Sequence, residues 1–166
     1  MDTTIKTLNI GAELNIPGLV FRHYKDEEDF QAIVDVNLAC TIEDQLDETT
    51  TLEEITHYYT HLTNCDLDKD LFFVEIDGKV IGFYRVFWQK KLDPGAESYI
   101  YPAINKLVPE WRNKGIRELM FKHSEERRIE LARDQKEDLP HYFSASGQDT
   151  ELEWIALVNA NGYEPV

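Results

Sequence analysis

LVPEWRNKGIRELMFKH, residues 107–123, runs from an apolar pair through proline and glycine into an amphipathic stretch. Leu107 and Val108 close a β-rich segment, SYIYPAINKLV (98–108), while Ile116, Leu119, Met120 and His123 recur at helical spacing. The stretch therefore predicts a strand, a short loop, and a helix that starts near Asn113–Gly115 and runs to about Gln135. Arg112 and Lys114 put positive charge into that loop. The first turn of a helix presents N–H groups without intrahelical partners and a partial positive charge, which suits phosphate. Gly115 lets the backbone come close to such a group. Taken alone, Arg-x-x-Gly more often marks an ordinary surface loop.

Working outward, DLFFVEIDGKVIGFYRVFWQKK (70–91) is two β-rich runs around Asp77-Gly78, a strong hairpin turn. LVFRHY (19–24) predicts a first strand. Asp26 offers an N-cap for a helix over 26–40, and Thr51 with Glu54 forms a capping-box pattern for a second helix through Thr63. Pro102 requires an edge, a bend or a bulge in the fourth strand. HYFSAS (141–146) predicts a fifth strand, and DTELEWIALVNANGYE a last helix stopped by Asn161-Gly162. Residues 1–18 predict an extended lead-in ending at Pro17-Gly18. The order is strand, two helices, three strands, helix, strand, helix. That is an α/β (α+β) fold with a mixed sheet, antiparallel around the hairpin and parallel where the third helix crosses between strands four and five.

The chain has 166 residues, with 17 Lys plus Arg against 32 Asp plus Glu, a net charge of −15. Such a balance repels phosphate backbones and anionic lipid heads, so neither nucleic acid nor a membrane is expected as a partner. No apolar run reaches a membrane span and the N-terminus has no signal-peptide core, which predicts a cytoplasmic protein. Cys40 and Cys65 then read as reduced, packed thiols. Glu53, His57 and His61 share a helix face, a spacing compatible with metal but expected here to be a polar surface, so no metal is assigned. His123, in a row with Ile116, Leu119 and Met120, is expected at the edge of the core.

VPEWRNKGI between a strand and an amphipathic helix resembles motif A of the GCN5-related N-acetyltransferases. FFVEIDGKVIGFYRV resembles that family's second and third strands, and LVNANGYEPV its closing Gly-Phe/Tyr signature. The resemblance covers residues 19–166. It implies a mostly antiparallel sheet whose fourth and fifth strands splay apart in parallel, with helices on both faces. It also implies acetyl-CoA as cosubstrate: pantetheine on Leu107 and Val108, pyrophosphate on Arg112, Asn113, Lys114, Gly115, Ile116 and Arg117. The acceptor amine, on a small molecule or a peptide, would attack directly. The family normally continues with two more strands that this sequence lacks, so a second domain of the same kind or a homodimer is the expected partner.

Two positions depart from the family pattern. Arg117 stands where a small residue follows the loop glycine, and Val158 stands at the usual proton-donating tyrosine, with Glu151 at a common asparagine. Glu97, Tyr99 and Tyr101 share one strand parity and are candidates for a general base facing the acceptor; no catalytic residue is assigned. The resemblance thus leaves two expectations: an N-acetyltransferase, or a degenerate domain serving as a structural or coenzyme A-sensing half of a tandem acetyltransferase.

Overall fold

A computed structural model describes residues 5–47 and 49–166; the first four positions of the expected lead-in lie outside the described residues. In chain order the strands are β1 (Thr7–Leu8), β2 (Leu19–His23), β3 (Leu71–Ile76), β4 (Lys79–Val86), β5 (Gln89–Lys91), β6 (Ser98–Leu107) and β7 (His141–Ala145). The helices are α1 (Asp29–Glu43), α2 (Leu52–Thr60), α3 (Leu67–Asp70), α4 (Ile116–Arg133) and α5 (Leu152–Ala160). Among the described residues the strands form one sheet, ordered β1-β2-β3-β4-β6-β5, with β7 also on β6. Every pairing is antiparallel except β6 with β7, which is parallel.

The β3–β4 turn forms where expected. Asp77 and Gly78 both take positive φ, 48° and 82°, the pair of left-handed residues that a two-residue hairpin matched to strand twist requires. The Thr51–Glu54 capping box is also present, with both reciprocal bonds made. Helix α5 stops in a Schellman arrangement: Tyr163 N–H donates to Val158 O and Gly162 N–H to Asn159 O.

Several boundaries differ from expectation: α2 ends at Thr60 rather than Thr63, and the short α3 is an addition. Helix α1 begins at Asp29 rather than Asp26, because the Asp26 side chain takes the Glu28 N–H in a local turn. Asp29 itself is committed to Arg22, whose Nη1 and Nη2 lie 2.9 and 2.7 Å from its carboxylate, and to the Lys25 N–H at 2.8 Å. The run after the hairpin divides at Phe87-Trp88, so β5 leaves β4 and pairs with Ser98–Ile100 of β6. The lead-in is not simply extended: β1 adds to β2, and a 3₁₀ turn, Ala12–Leu14, follows. Pro102 sits where the missing N–H disturbs little, between the β6 residues paired with β5 and those paired with β4.

Both faces of the sheet are covered, which is why β3 reads LFFV without alternation. On one face, Phe30, Ile33, Val36 and Cys40 of α1 and Ile55 and Tyr59 of α2 pack on Leu71, Phe73 and Phe83. On the other, Ile116 and Met120 of α4 pack on Phe21, Phe72, Tyr84 and Leu107. Cys40 and Cys65 are free thiols. No helix among the described residues is long and apolar enough to cross a membrane.

Two consequences are measurable. Asp29→Ala leaves the buried Arg22 with one carboxylate, Glu75 at 3.1 Å, and the His23 carbonyl at 3.0 Å, and should lower the unfolding free energy by roughly 3 kcal/mol. A urea midpoint unchanged from wild type would contradict it. His123, half-buried on α4, has Nδ1 2.7 Å from Tyr84 Oη, and burial lowers its pKa from 6.5. Folded protein then binds fewer protons than unfolded protein, so this contribution is complete above pH 6.5 and is lost as the pH falls. Wild type should lose stability more steeply than His123→Gln between pH 7 and pH 5; parallel curves would refute the assignment.

Candidate functional site

Strands β6 and β7 pair in register from Tyr99↔His141 to Ala103↔Ala145, and then part. Strand β6 runs on to Leu107, paired with β4 alone. Val108 N–H donates back to Ile81 O, so the alternate residues Asn105 and Leu107 turn their backbone groups to the free edge. The parted strands, the loop 112–115 and the start of α4 surround this edge. In the loop Asn113 and Gly115 have φ of 62° and 88°, both left-handed, and Gly115 is the N-cap of α4.

The residues expected to hold a cosubstrate meet here, but several are already engaged. Leu107 is buried, and its carbonyl accepts Arg112 Nε–H at 2.9 Å. The same guanidinium grips both carboxylate oxygens of Asp44, at 2.6 and 2.8 Å. Burial opposes the Arg112 charge, but the bonds to Asp44 outweigh it and raise the pKa. Arg112 therefore secures β6 to the end of α1. Asn113 and Lys114 are exposed, and Ile116 is buried in the core. A Cβ on Gly115 would lie 2.7 Å from Leu14 Cδ2, so the 3₁₀ turn of the N-terminal segment covers the glycine.

Arg117 is 1% exposed and fills the parting between the strands. Its Nη2–H donates to Asn105 O at 3.0 Å and its Nε–H to Asn105 Oδ1 at 3.1 Å. It pairs with Glu153 of α5, and its guanidinium lies 4.8 Å from the Trp154 ring centre. The Asn105 amide nitrogen is left buried without an acceptor. Trp154 is fixed by its own Nε1–H bond to Ser146 O at 3.0 Å.

A cleft of about 730 Å³ opens beside the end of β6. Its walls include Glu54, His57 and Tyr58 of α2, Ala103–Lys106 of β6, and Glu151 and Trp154. Glu151 is paired with Lys106 at 3.2 Å and accepts the Gln148 N–H at 2.7 Å. None of the three candidate bases lines this cleft. Tyr99 and Tyr101 face α4 and pack with Val86 and Leu131, and Tyr101 Oη lies 2.8 Å from His141 Nδ1. Odd-numbered β6 residues turn to α4, so their shared parity carries both tyrosines away from the cleft. Glu97 lies 3.7 Å from Lys90. Val158 lines a different groove, between β7 and the C-terminal residues. His61 Nδ1 is 2.7 Å from His57 O, and no metal-sized cluster of ligating side chains occurs among the described residues. Tyr58, Asn105 and Trp154 were missed. The tryptophan signal was its place one helical turn before Val158.

No sequence-family model and no curated protein matches the chain. Solved structures do. A GCN5-related N-acetyltransferase from Sphaerobacter thermophilus is 18% identical with a TM-score of 0.68; the match covers 89% of this chain and 44% of that one. The chain thus spans less than half the length of that relative. A predicted acetyltransferase with acetyl-CoA from Clostridium acetobutylicum is 14% identical, TM-score 0.67, over 89% of this chain and 91% of that one. An aminoglycoside acetyltransferase from an uncultured soil metagenomic sample, in complex with sisomicin, is 9% identical, TM-score 0.59, over 90% and 92%. Together with the parted parallel strands, these likenesses establish that the chain has the GCN5-related N-acetyltransferase fold.

Proposed function

We propose that this chain is an acetyl-CoA-dependent N-acetyltransferase domain of the cytoplasm, acting on a primary amine of a small molecule or peptide. The observation that carries the reading is the divergence of β6 and β7 beyond Ala103↔Ala145, with the α4 N-terminus on one side and the 730 Å³ cleft on the other. The loop suits a diphosphate. The first amides of α4 have no intrahelical acceptor, and Lys114 is exposed without an ion pair among the described residues. The free edge of β6 suits an amide-bearing arm, and the orphaned Asn105 amide would gain an acceptor there. Acetyl-CoA supplies an activated thioester carbonyl when bound. The acidic chain draws a cationic amine, and Glu54, His57, Tyr58, Tyr59, Lys106 and Glu151 are the titratable groups in the cleft wall.

Arg117 favours a second reading. Its guanidinium occupies the edge of β6 that the arm would use, so as folded here the domain closes its own gap. In that case it is a structural or coenzyme-sensing domain that pairs with a second domain or with a second copy.

Calorimetric titration with coenzyme A separates the two. Under the first reading, wild type binds. Arg117→Ala tightens binding at least tenfold because nothing need be displaced, and Lys114→Ala weakens it by about 0.5–1 kcal/mol, the scale of an exposed charge at a helix terminus. Absence of heat in both wild type and Arg117→Ala would overturn the enzymatic reading.

A further inference from the structure

Arg85 lies in the middle of β4, 1% exposed, on the face covered by α2. Of the four buried arginines it is the least compensated. Arg22 and Arg117 have carboxylate partners, and Arg128 donates to three backbone carbonyls and to Tyr163 Oη. Arg85 Nη2–H donates to Tyr58 Oη at 3.0 Å, its other side-chain contact is with the thiol of Cys65, and its Nε–H is buried without an acceptor. Its guanidinium carbon lies 4.8 Å from the Phe87 ring centre and 5.2 Å from those of Tyr58 and Tyr59.

Among the described residues no carboxylate pairs with Arg85. Burial pushes the Cys65 thiol up to about 11 and the Tyr59 phenol up to about 12, so both are neutral at pH 7. Asp66 and Asp70, which act on Cys65, are bonded elsewhere: Asp70 to Arg127 and to the Asp66 N–H, Asp66 to Lys69 and to the Asp68 N–H. The aromatic rings and the carbonyl end of α2 offset the charge only in part. A buried, unpaired cation is costly, and it is a reason to look for an anion.

Tyr58 connects this cation to the cleft. It is about half exposed and lines the cleft wall. Its oxygen accepts from Arg85, so its own O–H proton is left to donate outward, strengthened by the guanidinium behind it. We propose that Tyr58, backed by Arg85, receives a carboxylate in the cleft, so that the acceptor is an amino-acid-like amine bearing a carboxylate. Glu54, one helical turn before Tyr58, provides the negative charge that draws the ammonium end of the same molecule, while the charge of Glu151 is met by Lys106. Arg85 is the positioning residue and Tyr58 the contact. The choice of an amine acceptor rests on the function proposed above; the carboxylate site does not.

The test omits coenzyme, so it stands apart from the coenzyme titration. The 166-residue chain is titrated with butanoate and separately with butylamine, following the Arg85 Nε–H resonance by NMR. Butanoate should bind saturably and shift that resonance, while butylamine should leave it in place. Tyr58→Phe, a change at a half-exposed position that keeps the ring, should weaken butanoate roughly tenfold or more, the scale of one hydrogen bond to a charged group. Equal butanoate affinity in wild type and Tyr58→Phe, or an Arg85 resonance unmoved by butanoate, would overturn the site. Butanoate binding with silent coenzyme titrations would keep the carboxylate site and remove the acetyltransferase reading.

Discussion

Two parallel strands that part cannot leave their backbone groups unpaired in a buried place. Past Ala103 and Ala145 the inner edge of β6 has lost β7, yet it remains under α4. The chain resolves this with two arginines from the segment that follows β6. Arg112 closes the Leu107 carbonyl and Arg117 the Asn105 carbonyl. Each is then anchored by an acid from a separate helix, Asp44 at the end of α1 and Glu153 in α5. The parting of the strands, the seating of α4 and the position of α5 are therefore one arrangement, because the same side chains hold all three.

This has a direct bearing on ligands. Any arm that pairs with β6 must either reach groups the arginines leave free or displace one of them. Arg112 is the less displaceable, since releasing it would strand Asp44, which is 3% exposed. Arg117 pairs with Glu153, which has partial access to water and can lose its partner more cheaply. The gap is thus held by one fixed and one removable closure. The removable one lies at the first turn of α4, where a phosphate would also bring negative charge.

Much of this fold was legible in the sequence, because local signals agreed with the tertiary structure. Asp77-Gly78, the Thr51–Glu54 box and Asn161-Gly162 each specify a backbone geometry on their own, and each occurs where expected. The order of elements pointed to the parallel pair, and the resemblance to the GCN5-related N-acetyltransferases to its parting. Boundaries set by long-range contacts were not legible. Asp29 begins α1 because it meets Arg22 on β2, and β5 separates from β4 because it pairs with Ser98–Ile100. The site was legible as a location but not as a state. A sequence places Arg117 beside Gly115, but not its guanidinium over Trp154 or Leu14 over the glycine. Arg85 did leave a trace, a charge inside VIGFYRVFW, since a cation in an otherwise apolar strand must be met by something.

The choice of arginine at 112 and 117 follows from geometry. Each site asks one side chain to serve a backbone carbonyl and a carboxylate that lie in different directions. A planar fork with five N–H donors does this with its charge delocalised and its face free to stack, as Arg117 stacks on Trp154. Lysine would bring a compact, strongly hydrated charge into a site with no room for its water. A small side chain at 117 would leave the Asn105 carbonyl open to an exogenous amide, with the partly exposed Glu153 turned to water. Position 117 therefore decides whether the parted strands are closed by the protein or by what it binds.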